Sequence, residues 1–389
     1  MNRKRTDLFF QHLFKLVSLF SVLALGAILL FVFVQGAMPF FVPSAAGIRL
    51  VPQRIDELTV NGEVYRDHSS FITIAPGVSS ISVRLGEEVL EAAVYPAEKN
   101  PEKMLSFVTN TGGEVTYPEA YVYTVTWPAA IAALDRKLHI ILPEPPYGPV
   151  KFLGGLDWQP TRSKIFGIFP MIAGTILASL GAIVLGVPIA ILCAVFMAEF
   201  LSDRPAALVR SGIELLAGIP SVVYGFFGLM VIVPAVKAFF GIPAGNTLFS
   251  AILVLALMIL PTVITISETS LRAVPLSLRE ASLSLGASRM QTSWHVVLPH
   301  AQSGVIAGII LGISRAVGET MAVILVAGNS PQLVVSPLES VRTLTATIAM
   351  EMGYASGRHS EMLFSIGVVL FIIILILNSF ILALRREKA

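Results

Sequence analysis

The sequence predicts an all-α polytopic membrane protein of about six transmembrane helices, with a β-rich extracytoplasmic insert after the first. Three observations predict this. Of 389 residues, 13% are charged and 55% hydrophobic, and mean hydropathy is +0.79. Soluble domains carry roughly 25% charge. Long runs, among them 16–48, 165–198, 238–267 and 362–384, contain no Asp, Glu, Lys or Arg. The charge is also concentrated, because residues 40–165 hold 11 Lys/Arg and 14 Asp/Glu, about half of the total.

A spanning helix needs roughly 20 predominantly apolar residues. The runs place spans near 13–36, 169–198, 214–236, 247–268, 303–327 and 362–384. The fifth holds only if one helix tolerates Arg315 and Glu319. The first follows Arg3, Lys4 and Arg5, as a signal peptide would. Its apolar stretch from Leu13 to Val34 is longer than a signal peptide's h-region of roughly 7–15 residues, which favours a retained anchor. This gives three segments: 1–39 as cytoplasmic N-terminus and first helix, 40–165 as insert and linker, and 166–389 as a core of five helices.

Basic residues set orientation. With the N-terminus in the cytoplasm, the inner side holds twelve Lys/Arg and the short outer loops hold only Lys237, Arg342 and Arg358. Both termini are therefore expected inside a bacterial-type cytoplasmic membrane, and 40–165 outside. The net charge of +2 gives no basic footprint for nucleic acid. A single cysteine, Cys193, excludes a disulfide framework and is expected as a buried small apolar residue. Met171, Met197, Met230 and Met258 are expected in core or lipid contacts.

In the insert, Tyr121–Trp127 alternates with period two, and 71–74, 81–84 and 89–95 are further short strands. Asn61-Gly62, Pro76-Gly77 and Gly112-Gly113 supply turns. Ala129–Leu138 is compatible with a short helix, and the Pro-rich stretch 143–149 with a stiff linker. His68 and His139 stand without a catalytic or metal-binding cluster. A docking or spacer domain is the expected role, with ligand binding as the alternative.

The chain has no G-x-x-x-x-G-K-[ST] loop to cradle ATP phosphates, no H-E-x-x-H and no G-x-S-x-G. No catalytic residue, metal site or cofactor is expected in it. The informative segment runs from Glu280 through Ala281, Ser282 and Gly286 to Leu298 and Pro299, on the expected cytoplasmic side. Small residues at 281, 282 and 284 would let a partner approach closely, and Gly286 would stop the helix. A second, amphipathic piece with Arg289 and Trp294 would end at Pro299.

This segment resembles the EAA loop of ABC-importer permeases, whose pattern is E-A-A, three residues, G, nine residues, I, one residue, L-P. Glu280, Ala281, Gly286, Leu298 and Pro299 fall on register, while Ser282 and Val296 replace Ala and Ile. Glu214–Gly225, Leu271–Ala281 and Arg315-Ala-Val-Gly-Glu-Thr-Met-Ala-Val323 with Gly328-Asn329 resemble phosphate-specific permeases of the PstC type. The resemblance covers about 166–389 and not the insert. It implies the type I permease fold of ABC importers and import of inorganic phosphate. It also implies a cytoplasmic ATPase dimer that docks on the loop and uses ATP and Mg, a PstA-like sister permease and an external phosphate-binding protein. Importers of sulfate, molybdate or tungstate, and a membrane scaffold sensing phosphate status, are the alternatives. A secondary transporter would work without an ATPase.

Within the spans, Arg315 and Glu319 are four residues apart and would share one helix face. A charge near the bilayer centre costs about 2.5–3.5 kcal/mol on insertion scales and is usually functional or paired. Two readings stand. One is a local ion pair. The other makes Arg315 a transient oxyanion contact weakened by Glu319, with Thr320, Ser221 and Tyr224 as hydroxyl donors along the substrate path. Pro220 would either break the third span at a cavity or merely kink it. Glu268 is expected as a solvated rim charge.

Overall fold

The computed structural model describes residues 3–42, ten strands between 46 and 141 together with Gly62, and residues 146–386 except 162. The chain divides into two compact units. One comprises Met1–Phe152, Gln159–Phe166 and Ser356–Met362, and the other Leu153–Trp158, Gly167–Ala355 and Leu363–Ala389.

The first unit opens with α1 (Arg3–Phe41). No side chain in its most apolar stretch is buried, and Leu16, Phe20, Val22 and Leu30 are more than half exposed. A helix apolar all round suits lipid. At its end the Pro39 carbonyl accepts from the Tyr147 N–H at 2.8 Å and from Arg358 Nη1 at 2.7 Å. The strands form two five-stranded antiparallel sheets. The first comprises β1 (Ala46–Val51), β4 (Ile72–Ile74), β8 (Glu114–Glu119), β9 (Val122–Thr126) and β10 (Lys137–Ile141), in the order β4-β1-β10-β9-β8. The second comprises β2 (Glu57–Val60), β3 (Glu63–Tyr65), β5 (Ser79–Leu85), β6 (Glu88–Val94) and β7 (Leu105–Thr109), in the order β3-β2-β5-β6-β7. His139 lies in β10, opposite Arg49 and Thr124. His68, residues 129–136 and Pro143–Pro145 lie outside the described residues, so the helix expected over 129–138 is described only at Lys137 and Leu138, which begin β10.

After the short α2 (Pro149–Gly154), the second unit is helical: α3 (Phe169–Phe200), α4 (Asp203–Gly218), α5 (Ser221–Phe240) and α6 (Leu248–Arg272). Then follow α7 (Leu276–Ser284), α8 (Arg289–His300), α9 (Gln302–Gly318), α10 (Met321–Val326) and α11 (Leu344–Glu351). The last helix, α12 (Arg358–Arg386), runs through both units. Among the described residues α1, α3, α5, α6 and α12 are long and apolar enough to span, and α8 with α9, bent by 73°, makes a sixth. The third expected span begins late. Gly218 ends α4, Ile219 and Pro220 are extended, and the apolar helix starts at Ser221, so Glu214 belongs to an amphipathic helix outside it.

Helix α6 is the hub. Its Leu248 half packs with Ala178, Tyr224, Ala322 and Val326, and its Arg272 half with Ala190, Met197, Ile213 and Val305. Glycines permit the close approach. A Cβ at Gly181 or Gly186 of α3 would stand 2.4 or 2.8 Å from the Cδ1 of Ile252 or Ile259. On α9, Gly304, Gly308 and Gly312 face Ser270, Ile266 and Val263 in turn, an antiparallel seam of small residues every fourth position. Met171, Met197 and Met258 are buried and Met230 is exposed on the helix surface. Cys193 is only partly buried, its thiol 3.9 Å from the Met197 sulfur.

At Gly304 a Cβ would lie 1.9 Å from Ser270 Oγ, whereas at Gly212 of α4 nothing lies within 4 Å. Gly304→Leu should therefore destabilise the solubilised protein by about 1–3 kcal/mol through overpacking. Gly212→Ala should leave it unchanged or raise stability by about 0.4–1 kcal/mol. Thermal melts of the two variants side by side check this.

Candidate functional site

Arg315, the charge nearest mid-span among the described residues, sits on α9. A Cβ at Gly312 would stand 2.8 Å from Val263 and 3.6 Å from Ile259, so Arg315, one turn further, stands level with the middle of α6. Arg315 is half-buried and makes no hydrogen bond or ion pair among the described residues. Its charge acts electrostatically on Tyr224 of α5. Tyr224 is buried, and its Oη donates to the Leu216 carbonyl at 2.9 Å across the Gly218–Pro220 break. Ser221 precedes Tyr224 by three residues on the same helix face, and its hydroxyl makes no hydrogen bond among the described residues.

Glu319 departs from expectation. Gly318 ends α9, and Glu319 is extended at ψ 133°, so the i,i+4 geometry that would pair it with Arg315 does not exist. Its carboxylate accepts instead from the Ala322 N–H at 3.1 Å, capping α10, and its carbonyl accepts from Thr345 Oγ1 at 2.8 Å. Thr320 donates to the Gly318 carbonyl at 3.3 Å. The single helix expected over 303–327 is thus two helices around a Gly-Glu-Thr break. Helix α10 reaches α5 directly, because a Cβ at Gly225 would lie 2.7 Å from the Ala322 Cα. The structure puts Tyr224 within electrostatic reach of Arg315, with Ser221 one turn earlier on α5, and gives Glu319 and Thr320 backbone partners.

The second candidate region is the loop from α7 to α8. Helix α7 buries no residue, and Glu280, Ala281, Leu276, Leu283 and Leu285 are exposed, Leu285 by 90%. Ser282 turns the other way and its hydroxyl lies 2.9 Å from that of Thr292 on α8, which closes the two pieces into a hairpin. Gly286 sits between them at φ +85°, a left-handed conformation that glycine adopts without strain. Ser288 then caps α8 reciprocally with Gln291. Leu298 and Pro299 lie in the last turn of α8, which ends at His300, one residue past Pro299, before the 73° bend.

Residues 186–388 match the family described as binding-protein-dependent transport system inner membrane component. The chain belongs to that family. The permease is 39% identical over 227 residues to the probable ABC transporter permease protein YqgH of Bacillus subtilis (strain 168), covering 58% of this chain and 74% of that protein. It is 35% identical over 258 residues to the phosphate transport system permease protein PstC of Pasteurella multocida (strain Pm70), covering 61% and 80%. With PstC of Xylella fastidiosa (strain 9a5c) it shares 36% identity over 262 residues, covering 61% and 81%. Within the family it is a permease of the PstC type.

The permease also carries a charge cluster that the sequence reading missed. Glu268, expected as a solvated rim charge, is 2% exposed. Its carboxylate pairs with Arg210 of α4 and accepts from Arg272 Nε at 2.8 Å. That carboxylate holds the Arg210 guanidinium further above its ordinary value. Arg272 also donates to the Met197 carbonyl at 2.8 Å. Arg279 of α7 pairs with Glu199 at 3.0 Å and donates to the carbonyls of Leu271 and Val274. Arg272, Arg279 and Glu199 of this cluster border a cavity of about 380 Å³ that Glu280 and Arg289 also line. Only the Glu268–Arg272 spacing of four was visible in sequence; the partners on α3 and α4 come from the fold.

Glu319→Ala should cost about 1 kcal/mol by uncapping α10, while Glu319→Gln keeps an acceptor and most of that stability. Chemical unfolding of the two variants checks the assignment, since equal losses would refute it.

Proposed function

We propose that this permease is the membrane half of an ATP-driven phosphate importer and that Arg315 is its transient oxyanion contact. The observation that carries the reading is a guanidinium at mid-span with no ion-pair partner among the described residues, within electrostatic reach of Tyr224. An unpaired cation there is costly and is retained where an anion visits it. A guanidinium matches two phosphate oxygens in parallel hydrogen bonds, and the Ser221 hydroxyl would supply a further donor, while the single O–H of Tyr224 is engaged by the Leu216 carbonyl. The relatives named as phosphate transport system permeases support the choice of anion.

In this reading the Arg272 end of α6, the α7–α8 hairpin and both termini face the cytoplasm, and 40–165 faces outward, as the distribution of Lys and Arg favours. The exposed apolar hairpin would dock on a cytoplasmic ATPase dimer, which would use ATP and Mg. A sister permease would complete the path, and an external binding protein would deliver phosphate. This chain would do no covalent chemistry. It would shift between two states as the ATPase closes, and release would follow when the Ser221 hydroxyl on α5 moves away from the anion at Arg315. Glu319 needs no part in release, since its carboxylate is engaged by α10.

Two outcomes test this in proteoliposomes of the assembled complex. Arg315→Gln should lower phosphate uptake at least about tenfold, a loss near 1.4 kcal/mol, while assembly survives. Normal uptake by a stably assembled variant refutes the contact. Gly286→Leu forces a side chain into the left-handed region and should uncouple the ATPase. Unchanged pull-down of the ATPase and unchanged vanadate-sensitive ATP turnover would refute the docking role of the hairpin.

A further inference from the structure

We infer that Glu268 is a positioning residue, the centre of a charge clasp through which movement of the α7–α8 hairpin reaches the broken span beside Arg315. The inference rests on the importer reading, and it adds the route by which the hairpin acts on the path.

The route is a chain of short contacts. Arg279 on α7 donates to the Leu271 and Val274 carbonyls, so the hairpin is fastened to the C-terminal end of α6. Leu271 and Val274 stand at and just past the C-terminal end of α6, where carbonyls outnumber donors, and a cation there also favours the helix dipole. Arg279 pairs with Glu199 as well, which adds the end of α3. Glu268 lies one turn before the end of α6, and its oxygens accept from Arg210 Nε at 3.2 Å and Arg272 Nε at 2.8 Å. Asp203 at the start of α4 lies 3.9 Å from Arg272. Arg210 stands two turns before Gly218, and α4 is continuous up to that break. Across the break Tyr224 holds the Leu216 carbonyl, and Tyr224 is the side chain on which the Arg315 charge acts.

Two features make the cluster more than surface charge. Glu268 is buried, so its pairs are screened little by salt. Replacing a buried ion pair by apolar residues is often neutral for stability, whereas breaking one side is costly. A buried carboxylate shared by arginines from two helices therefore fixes their relative placement more than it adds stability. Between α4, α5 and α6 an apolar groove of about 440 Å³, lined by Ile213, Leu216, Tyr224, Phe227 and Leu260, spans the Gly218–Pro220 break.

The test uses Arg210→Gln in the assembled complex, because Arg210 is 39% exposed and Glu268 keeps Arg272 in the variant. Uptake should fall about tenfold while ATP turnover stimulated by the binding protein stays within about twofold, a coupling loss typical of such links. Arg210→Lys should restore part of the uptake. A parallel fall of uptake and ATP turnover overturns the clasp.

A second arm needs no substrate. Spin labels replace Ala207 on α4 and Ser284 on α7 in a Cys193→Ala background, and their separation is measured without nucleotide and with ATP and vanadate. The separation should hold in the native clasp and change in Arg210→Gln. Identical behaviour in both chains overturns the clasp. If the native complex turns over ATP yet imports no phosphate, the phosphate reading fails and the label distances still decide this one.

Discussion

Backbone polar groups inside a bilayer must find partners within the protein, and the two breaks in this permease depend on how that is met. Lipid offers no hydrogen bonds, so an interrupted helix is tolerated only where neighbouring groups satisfy the freed N–H and C=O. At Gly218–Pro220 the Tyr224 hydroxyl holds the Leu216 carbonyl. At Gly318–Thr320 the Glu319 carboxylate takes the Ala322 N–H, and Thr345 donates to the Glu319 carbonyl. The polar side chains near the breaks are thereby committed to the backbone. Among the described residues Arg315 and the Ser221 hydroxyl are the exceptions, and the proposed anion contact rests on the first.

The packing around the breaks serves the same constraint. Helix α9 lies tightly on α6 through Gly304, Gly308 and Gly312, which fixes the depth of Arg315. Ser314, beside it, donates to Asn378 of α12 at 3.2 Å. Gly225 lets α10 touch α5 backbone to backbone, so the two breaks are neighbours in space although nearly a hundred residues apart in sequence. At the Arg272 end, buried charges take over from glycines as the means of holding helices in register.

What was legible in sequence followed from local rules. Charge-free runs marked the spans, and the Gly286 stop is local chemistry, since glycine alone enters the left-handed region freely. The errors came where tertiary partners decided. Four-residue spacing paired Arg315 with Glu319, but Gly318 ended the helix and Ala322 took the carboxylate. Glu268 looked solvated because its second guanidinium is 58 residues away, on α4. Ser282 looked like part of an open small-residue face, yet Thr292 across the hairpin turns it inward.

The most direct measurement is uptake of radiolabelled phosphate by the native complex in proteoliposomes, with and without ATP, competed by sulfate and molybdate. The account predicts accumulation that requires ATP and resists both competitors. Accumulation without ATP, or none of phosphate with ready uptake of another oxyanion, would contradict it.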